Sequence, residues 1–535
     1  MTETTTAGAG RREWIGLAVL ALPTLLLALD LSVLYLALPS LSADLGADST
    51  EQLWITDAYG FLIAGFLVTM GTLGDRVGRR RLLLIGATAF AVVSVVAAYA
   101  PNPELLIAAR ALLGVAGATL MPSTLALIST MFRVPAQRAV AVGVWMSCFM
   151  GGMAVGPVIG GVLLEHFWWG SAFLLGVPVM VLLLVTAPVL LPEHRAPSPG
   201  RPDLVSVALS LVTILPVVYG LKELARHGWR GLPVLAIVAG VASGALFVRR
   251  QRRLADPLID VRLFARRTFT AALVLFLLNG LLMGGTFLLL SQWLQLVGGL
   301  SPLRAGLVLV PQALAMIAAT TLAPLLARRI RPGHVMAVGQ VVTAAGFLLL
   351  TGVDSGGPLL LVLVAFVVAS VGIALPSALV TDLIVGSAPP ERAGSAASMS
   401  ETSGELGIAL GVATLGSLAA AVYRDELGRT LPAGVTAEAA EGARDGLAAA
   451  TTVAGDLPAG LGAELLAAAR AAYTSGLEVT ATAGAVLLLG LAVVAVVVFR
   501  SVPPYATPGQ DTVPVGDGPS GPAAARETTE STTGR

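Results

Sequence analysis

The sequence predicts an all-α integral membrane protein, and three observations carry that prediction. Hydrophobic residues make up 56 % of the 535 residues and charged residues only 12 %, about half the charged share usual in soluble proteins. So few charges cannot cover a water-exposed surface. Apolar stretches of about 20 residues, each long enough to cross a bilayer as a helix, recur fourteen times along the chain.

The fourteen predicted spans alternate with short polar segments. The first span is too long and too poorly flanked to be a cleaved signal peptide. A net charge of +1 and a single cysteine, Cys148, exclude a nucleic-acid-binding surface and a disulfide scaffold. The predicted spans are 14–38, 53–74, 82–100, 104–127, 139–163, 170–191, 204–221, 231–248, 268–290, 303–326, 334–352, 358–384, 394–423 and 477–500.

Arginine placement predicts the orientation of the chain, because basic residues are retained on the cytoplasmic side of a membrane. With the N-terminus inside, 24 basic residues fall in inside segments, 8 in outside segments, and Arg110 lies within a span. An even number of spans then places both termini in the cytoplasm. Lys222 is the only lysine against 32 arginines, a bias that suggests a GC-rich bacterial genome and therefore the inner membrane.

Four segments outside the spans have distinct compositions. The tails, 1–10 and 501–535, are polar, carry Gly, Thr or Pro, and are predicted to be disordered cytoplasmic ends. The outside segment 424–476 is rich in Ala and Glu and is expected to form short helices over the outer mouth. The inside segment 249–267 is basic and amphipathic, which is typical of a helix lying on anionic lipid.

Asp30 is an acid about sixteen residues into the first span, where a charge costs about 2.5–3.5 kcal/mol on insertion scales. One interpretation is a structural ion pair with Arg110, the basic residue well inside a span, or a cap by hydroxyls. The other is a titratable carboxylate that binds a proton or a cation, because burial away from water favours the protonated form. Arg110 is either a structural counter-ion or a group that tunes a neighbouring acid.

Three other acids within spans are candidates for such a role. Asp57 is about four residues into the second span, near the membrane interface, so a gate role at the helix start is as favoured as a carrier role. Glu401 and Glu405 are four residues apart and share one face of span thirteen. Two carboxylates this close in a dry site cannot both ionise cheaply, so at least one is expected to hold a proton; the alternative is a water-exposed helix end.

Glycines mark two further segments. The span GMAVGPVIGG places small residues on one stripe, where another helix can approach closely, and its proline bends the helix; its residues are Gly152, Gly156, Pro157, Gly160 and Gly161. The segment GTLGDRVGRRRLLL is predicted to form a tight turn on the inside face, latched by its acid and arginines; its residues are Gly71, Gly74, Asp75, Arg76, Gly78 and Arg79 to Arg81.

The remaining side chains bear on nucleotide binding, metal binding and contacts with cations. No nucleotide-binding phosphate loop occurs, and the four histidines lack metal-ligand spacing, so no ATP, metal, cofactor or enzymatic activity is expected. Five aromatic residues could contact a cation, although packing is the more common role of such side chains. They are Tyr35, Tyr59, Trp54, Trp145 and Trp293.

These motifs resemble the major facilitator superfamily. Gly71–Leu83 resembles its loop 2–3 signature, and Gly152–Gly161 is similar to its span-five antiporter motif. Leu29–Pro39 resembles the span-one motif of fourteen-helix drug:proton antiporters, with Ser32 and Tyr35 in place of Thr and Asn. The similarity covers about residues 11–500 and is closest to quaternary-ammonium multidrug efflux pumps.

Two weaker matches accompany these motifs. Arg110 with Gly114 and Gly117 looks like the span-four motif, and Trp169–Pro178 fits the span-six pattern, with Gly176 where Asn is usual. Together they extend the resemblance across the whole N-terminal half of the chain.

The resemblance implies a major facilitator fold of two six-helix bundles, 11–200 and 251–500, with two helices, 201–250, inserted between them. It also implies exchange of protons for lipophilic cations by a monomer. Asp30, Asp57, Glu401, Glu405 and Arg110 would couple protons to substrate, and the glycine-rich segments would act as hinge and latch. Span ten carries no carboxylate, which leaves the handling of widely spaced dications open.

Three other functions fit the same sequence less well. A dedicated exporter of one natural-product antibiotic would share the fold and differ only in the breadth of its substrates. A proton-driven importer is disfavoured by the resemblance of span five to antiporters. A sensor or lipid-modifying protein would need an additional catalytic or receptor domain, and the sequence suggests none.

Overall fold

The computed structural model describes residues 9–132, 134–193, 203–227, 231–254, 261–386 and 393–504, and these form helices without any strand. The predicted disordered tails lie almost wholly outside the described residues. The helices are α1 Arg11–Leu45, α2 Ser49–Val77, α3 Arg79–Ala98, α4 Pro103–Met131, α5 Pro135–His166, α6 Ser171–Leu174, α7 Gly176–Leu190, α8 Leu204–His227, α9 Gly231–Gln251, α10 Arg267–Gln292, α11 Pro302–Ala327, α12 Pro332–Leu350, α13 Leu359–Gly386, α14 Ala393–Thr430, α15 Ala437–Arg444, α16 Leu447–Asp456 and α17 Ala459–Phe499.

A helix lies at every predicted span. Twelve helical segments of the described chain are long and apolar enough to cross a membrane by length and composition. The two predicted spans outside this set coincide with α2 and α8. The described apolar stretch of α8, Val205–Gly220, is shorter than a full span. The count of fourteen therefore stays a prediction.

Several boundaries differ from the prediction. The last span was expected to start at residue 477, but α17 begins at Ala459 and absorbs the end of the expected loop. The start of that loop belongs to α14, which ends at Thr430, and the short helices that the sequence suggested are α15 and α16. The expected amphipathic helix over 249–267 is not continuous: its described parts are the end of α9, a 3₁₀ turn at Val261–Ala265 and the start of α10.

The helix contacts repeat along the chain. Helix α1 packs on α5 and α7, α2 on α4, and α3 on α4 and α7. In the same pattern, α10 packs on α14 and α17, α11 on α13, and α12 on α13 and α17. The helices α1 to α7 form a first bundle, and α10 to α14 with α17 form a second bundle of the same topology. Such parallel repeats are typical of transporters built from two halves.

Close glycine contacts within each bundle show which residues occupy corresponding positions in the two bundles. A Cβ at Gly152 of α5 would lie 2.5 Å from the Leu25 carbonyl oxygen of α1, and Gly411 of α14 lies against the Leu281 carbonyl of α10 in the same way. The residues of α1 and α10 that correspond are therefore 256 positions apart.

Helices α4 and α13 show the same difference of 256 in residue number. A Cβ at Gly86 of α3 would lie 3.3 Å from the Ala116 carbonyl oxygen of α4, and one at Gly339 of α12 would lie 2.7 Å from the Gly372 carbonyl oxygen of α13. Ala116 and Gly372 are again 256 positions apart. Helices α4 and α13 thus correspond with the same offset as α1 and α10.

The two bundles meet at one end of the molecule. We call the end with Arg11, Arg80 and Arg331 the basic end, and the end with α15 and α16 the cap end. At the cap end one continuous apolar core joins both bundles, whereas the basic-end half of the second bundle has a separate core around Phe269 and Met336. The bundles are therefore packed together at the cap end.

Helices α8 and α9 form a hairpin beside the bundles. Val218 of α8 packs with Phe61 of α2 and Ala409 of α14, so the hairpin covers the seam between the bundles on its lipid side. At the basic end the hairpin is fastened by Asp203 and Arg250, whose side chains approach to 2.8 Å and form two hydrogen bonds.

Candidate functional site

Asp30 and Arg110 form a buried ion pair inside the first bundle. Arg110 is 0 % exposed, and its Nη1 donates to Asp30 Oδ2 at 2.7 Å. Its Nε donates to the Ile55 carbonyl of α2 at 3.0 Å, and its guanidinium lies 4.3 Å from the centre of the Tyr59 ring. Arg110 therefore contacts an acid on a neighbouring helix in this conformation, as one of its two interpretations expects.

Close packing of α2 on α4 creates this arrangement. A Cβ at Gly114 would come within 2.5 Å of the Tyr59 carbonyl oxygen, so only glycine allows the two backbones to approach this closely. The approach brings the Ile55 carbonyl within reach of Arg110. A buried charge is tolerated only when it is paired and hydrogen-bonded, and Asp30 with the Ile55 carbonyl supplies both.

Asp57 is buried inside the protein. The sequence places it about four residues into the second predicted span, and α2 starts at Ser49, four residues before that span. Its side chain is only 1 % exposed in this conformation. The choice between a gate role and a carrier role for Asp57 stays a prediction.

Glu401 and Glu405 are half-buried on α14 and form no hydrogen bond or ion pair with any described residue. They share a face with Ala409, one further turn along the helix. A Cβ at Gly60 of α2 would lie 3.1 Å from the Ala409 Cβ, so this face of α14 is turned toward the first bundle. The two acids therefore lie on the seam between the bundles.

The glycine stripe of α5 contacts two neighbouring helices, α1 and α11. Gly152, Gly156 and Gly160 pack on α1, where Gly156 lies directly against the Ser32 hydroxyl. On another side, a Cβ at Gly161 would lie 2.6 Å from the Leu303 Cα of α11. Helix α5 is unbroken at Pro157, whose carbonyl oxygen lies against Gly306 of α11. The stripe thus joins helices within the first bundle and contacts the second.

The segment between α2 and α3 forms its turn differently from the prediction. Gly71 and Gly74 lie within α2, and only Gly78 adopts a positive φ, 115°. Arg80 and Arg81 approach Glu193, and Arg80 also donates to the carbonyl oxygen of Leu191 at 2.9 Å. These contacts lie within the first bundle.

The other residues of the predicted latch are Arg76, Arg79 and Asp75. Arg76 is exposed near the end of α2, and Arg79 starts α3. The side chain of Asp75 lies outside the described residues, so the predicted latch role of this acid stays a prediction.

The aromatic candidates mostly pack within the protein. Trp145 donates to the Thr124 hydroxyl and Trp293 to the Thr474 hydroxyl, both at 3.2 Å and both buried. Trp54 is half-buried against the seam formed by α2, α8 and α14. Tyr59 contacts the cation of Arg110, as described above. The face of the Tyr59 ring is therefore occupied by a cation of the protein itself.

Tyr35 lies between the bundles. Its ring meets Phe287 of α10 edge to face, with 5.3 Å between the ring centres. Gln295, in the π-helical turn Trp293–Val297 that follows α10, also donates to the neighbouring Leu36 carbonyl oxygen at 3.1 Å. Tyr35 is therefore part of the cap-end contact between α1 and α10.

Two cavities stand out in the described structure. One lies at the cap end, between the bundles and beneath α16. The other is small and lies inside the second bundle. Sequence reasoning missed the polar residues of this smaller cavity, Thr286, Gln312 and Ser370, because it considered only ionisable side chains within spans. Among the described residues, no group of three or more His, Cys, Asp or Glu side chains could hold a metal ion.

The chain is similar to bacterial drug exporters over most of its length. It is 46 % identical to the multidrug efflux pump LfrA of Mycolicibacterium smegmatis, over 91 % of this chain and 97 % of that protein. It is 35 % identical to the methyl viologen resistance protein SmvA of Salmonella typhimurium, over 90 % and 97 %. It is 30 % identical to the tetracenomycin C resistance and export protein of Streptomyces glaucescens, over 96 % and 97 %.

Solved structures show the same fold at low sequence identity. A bacterial homolog of the human lysosomal transporter Spinster, inward-facing and unoccupied, gives a TM-score of 0.66 at 15 % identity, over 92 % of this chain and 98 % of that one. A peptide transporter POT in complex with sulfate gives 0.59 at 17 %, over 91 % and 95 %. The Major Facilitator Superfamily model matches residues 20–412. The chain therefore belongs to the Major Facilitator Superfamily.

Proposed function

We propose that the protein is a proton-coupled multidrug efflux antiporter that exports lipophilic cations across the bacterial inner membrane. The observation that carries the proposal is the position of Glu401 and Glu405. These two carboxylates lie on the seam between the bundles and are unpaired among the described residues. The exporter relatives support the direction and breadth of transport, since each is named for efflux or resistance.

The carboxylates provide the exchange chemistry. A carboxylate removed from water binds either a proton or a cation, because both neutralise its charge and the low dielectric strengthens either interaction. Protonation then releases the drug, and drug binding expels the proton. Exchange of one proton for one monovalent cation moves no net charge, so it draws on the pH gradient alone; each uncompensated charge would add about 2.3 kcal/mol per 100 mV.

Asp30 and Arg110 couple the first bundle to this exchange. Protonation of Asp30 removes the counter-charge of Arg110, and the buried guanidinium then needs another anion. Asp57, buried on the same helix as Tyr59, is the nearest candidate by position in α2. Movement of one proton therefore changes the ion pairing that holds α1, α2 and α4 together.

The bundles alternate around this seam. The basic end faces the cytoplasm by the arginine distribution, so the contact of the bundles at the cap end corresponds to an inward-facing state. The bundles comprise residues 11–200 and 251–500, the inserted pair is 201–250, and both termini are cytoplasmic. The glycines of α5 act as the hinge, and the turn at Gly78 with its arginines acts as the latch at the inner face. The protein works as a monomer.

Transport by membrane vesicles tests the proposal. Everted vesicles containing the protein are acidified inside by respiration, and ethidium is then added. The antiporter dissipates the pH gradient and accumulates ethidium, and the variant E401Q/E405Q does neither. Accumulation of ethidium that ignores the pH gradient would contradict the proposal, and exit of substrate from the everted vesicles together with the proton would indicate an importer.

A dedicated exporter of one antibiotic is the second candidate. It is favoured by the 30 % identity to the tetracenomycin C resistance and export protein over nearly the full chain. Minimum inhibitory concentrations for a panel of dyes, quaternary ammonium disinfectants and antibiotics separate the two functions. Multidrug efflux predicts resistance to several chemically unrelated cations, and the dedicated exporter predicts resistance to one compound.

A further inference from the structure

Two side chains at and just beyond the end of α10 donate hydrogen bonds to the backbone of α1, across the contact between the bundles. Gln295 Nε2 donates to the Leu36 carbonyl oxygen at 3.1 Å. The Ser291 hydroxyl is shared between the Tyr35 carbonyl oxygen, at 3.4 Å, and the Leu288 carbonyl oxygen of its own helix, at 2.9 Å. Both donors are neutral, so this contact can break without leaving an unpaired buried charge.

A proline in α1 explains why the Tyr35 carbonyl takes a partner from the other bundle. Pro39 lies within α1 and has no N–H to donate to this carbonyl, which is four residues earlier. A buried backbone carbonyl without a hydrogen bond is costly, and the Ser291 hydroxyl is within reach of it. The sequence of α1 thus provides an acceptor that the second bundle satisfies while the cap end is closed.

The contact lies at the centre of the closed cap end. Corresponding residues of α1 and α10 are 256 positions apart, so Ser291 corresponds to Tyr35. A contact between corresponding residues lies on the axis that relates two repeats. Tyr35 is also five residues beyond Asp30, about 7.5 Å further toward the cap end. A cation that leaves Asp30 in this direction therefore meets the contact.

The turn that carries Gln295 is held from its other side by the second bundle itself. The turn Trp293–Val297 is π-helical, and π-helical turns within helical segments are frequent at functional sites. Arg470 of α17 donates to the Leu296 carbonyl oxygen of this turn at 3.0 Å. Because this bond lies within the second bundle, it can persist when the bundles separate. Gln295 is therefore directed at α1 by a support that moves with its own bundle.

We propose that Gln295 is a positioning residue for transport, and that it forms with Ser291 an outer latch that favours the closed cap end. The inference rests on the alternation of the bundles in the proposed function and adds the groups that set the balance between its two states. Hydrogen bonds between neutral groups contribute little each. The outer latch therefore biases the balance toward the inward-facing state and still allows the cap end to open.

Distances between spin labels at the cap end test the inference. The labels are placed at E104C, in the first turn of α4, and S355C, between α12 and α13, in a C148S background; both positions are exposed. Double electron–electron resonance in nanodiscs gives the populations of the closed and separated cap ends. Q295L should raise the ratio of separated to closed protein about fivefold, the effect of one lost hydrogen bond. Q295E, which keeps the shape without an N–H donor, should also raise it.

A neighbouring glutamine provides the matched control. Gln292 accepts a hydrogen bond from the Tyr473 hydroxyl at 3.0 Å, within the second bundle. Q292L therefore loses a hydrogen bond near the cap end but none between the bundles, and its distances should equal those of the wild type. Wild-type distances in Q295L and Q295E, or equal separation in Q292L, would overturn the inference. If Q295L does not fold, Q295E decides in the same way.

Pro39 allows a second test. P39A restores a helical donor to the Tyr35 carbonyl, so S291A should favour separation in the protein with Pro39 and have no effect in P39A. Equal effects of S291A in both backgrounds would overturn the part given to Ser291. A wild type with a single distance at acidic and alkaline pH, with and without ethidium, would contradict the proposed alternation of the bundles and the outer latch together.

Discussion

At the scale of single residues, the buried charge of Arg110 is the strongest constraint on the molecule. The sequence predicted an unusual cation within a span and an acid at a suitable depth, and it left their pairing as one of two interpretations. The structure shows the pair but also the Ile55 carbonyl as a third partner. That partner could not be predicted, because it depends on the distance between the α2 and α4 backbones at Gly114.

Asp30→Asn should abolish proton-driven ethidium efflux, because the amide cannot exchange a proton at physiological pH. It also leaves Arg110 as an uncompensated buried charge, which costs about 3–5 kcal/mol, so its unfolding temperature in detergent should fall. The double variant D30N/R110Q should recover stability without transport. Proton-driven efflux by D30N at the wild-type rate would remove this acid from the mechanism.

At the scale of helices, glycine contacts determine how closely α5 packs on α1. The sequence predicted the stripe from its spacing, but not which neighbour each glycine serves. Gly152 and Gly156 face α1, whereas Gly161 faces the other bundle. Spacing along one helix shows that a face is small, and the identity of the facing helix is decided only by the complete fold.

Gly152→Ala should impair packing, because its Cβ would lie 2.5 Å from the Leu25 carbonyl oxygen. Overpacking of this kind costs about 1–3 kcal/mol, so the unfolding temperature should fall and efflux should decrease. Gly151→Ala is the matched control, since nothing lies within 4 Å of its Cβ. Equal behaviour of the two variants in thermal unfolding would contradict the close contact of α5 with α1.

The α8–α9 hairpin depends on Asp203. The hydrogen bonds from Arg250 lower the pKa of Asp203 to about 2, from an ordinary value of 3.8. A lowered pKa means that the folded state favours the ionised acid. This stabilisation is therefore complete above about pH 4 and is lost as the pH falls toward 2.

Asp203→Asn should lower the unfolding temperature by roughly 2–4 °C at neutral pH, and the difference from the wild type should shrink as the pH falls below 4. Thermal unfolding in detergent between pH 3 and pH 8 measures both effects. Glu464→Gln, at an exposed acid of α17, provides the control. An unchanged unfolding temperature for Asp203→Asn at neutral pH would show that the ion pair does not fasten the hairpin.

At the scale of the whole molecule, the contact of the bundles at the cap end defines the conformation. Composition and span length predicted the helices well, because membrane insertion depends on local hydrophobicity. They could not predict where α8 docks or how fully Asp57 is buried. Each of these depends on contacts between residues far apart in the chain.

Locking the cap end should stop transport. A Cβ at Gly416 would lie 2.6 Å from the Leu53 side chain, so L53C/G416C in a C148S background can be joined by a short bifunctional thiol reagent. Efflux should stop after cross-linking and continue in L53C alone. Wild-type efflux by the cross-linked protein would show that the bundles need not separate at this end.

The central claim is that buried carboxylates hold either a proton or a cationic drug. Release of protons from the purified protein on addition of ethidium, in weakly buffered detergent solution, tests it most directly. The wild type should release protons in proportion to bound ethidium, and less should be released by D30N, E401Q and E405Q, each measured alone. Ethidium binding without proton release, or equal release by all four proteins, would contradict the claim.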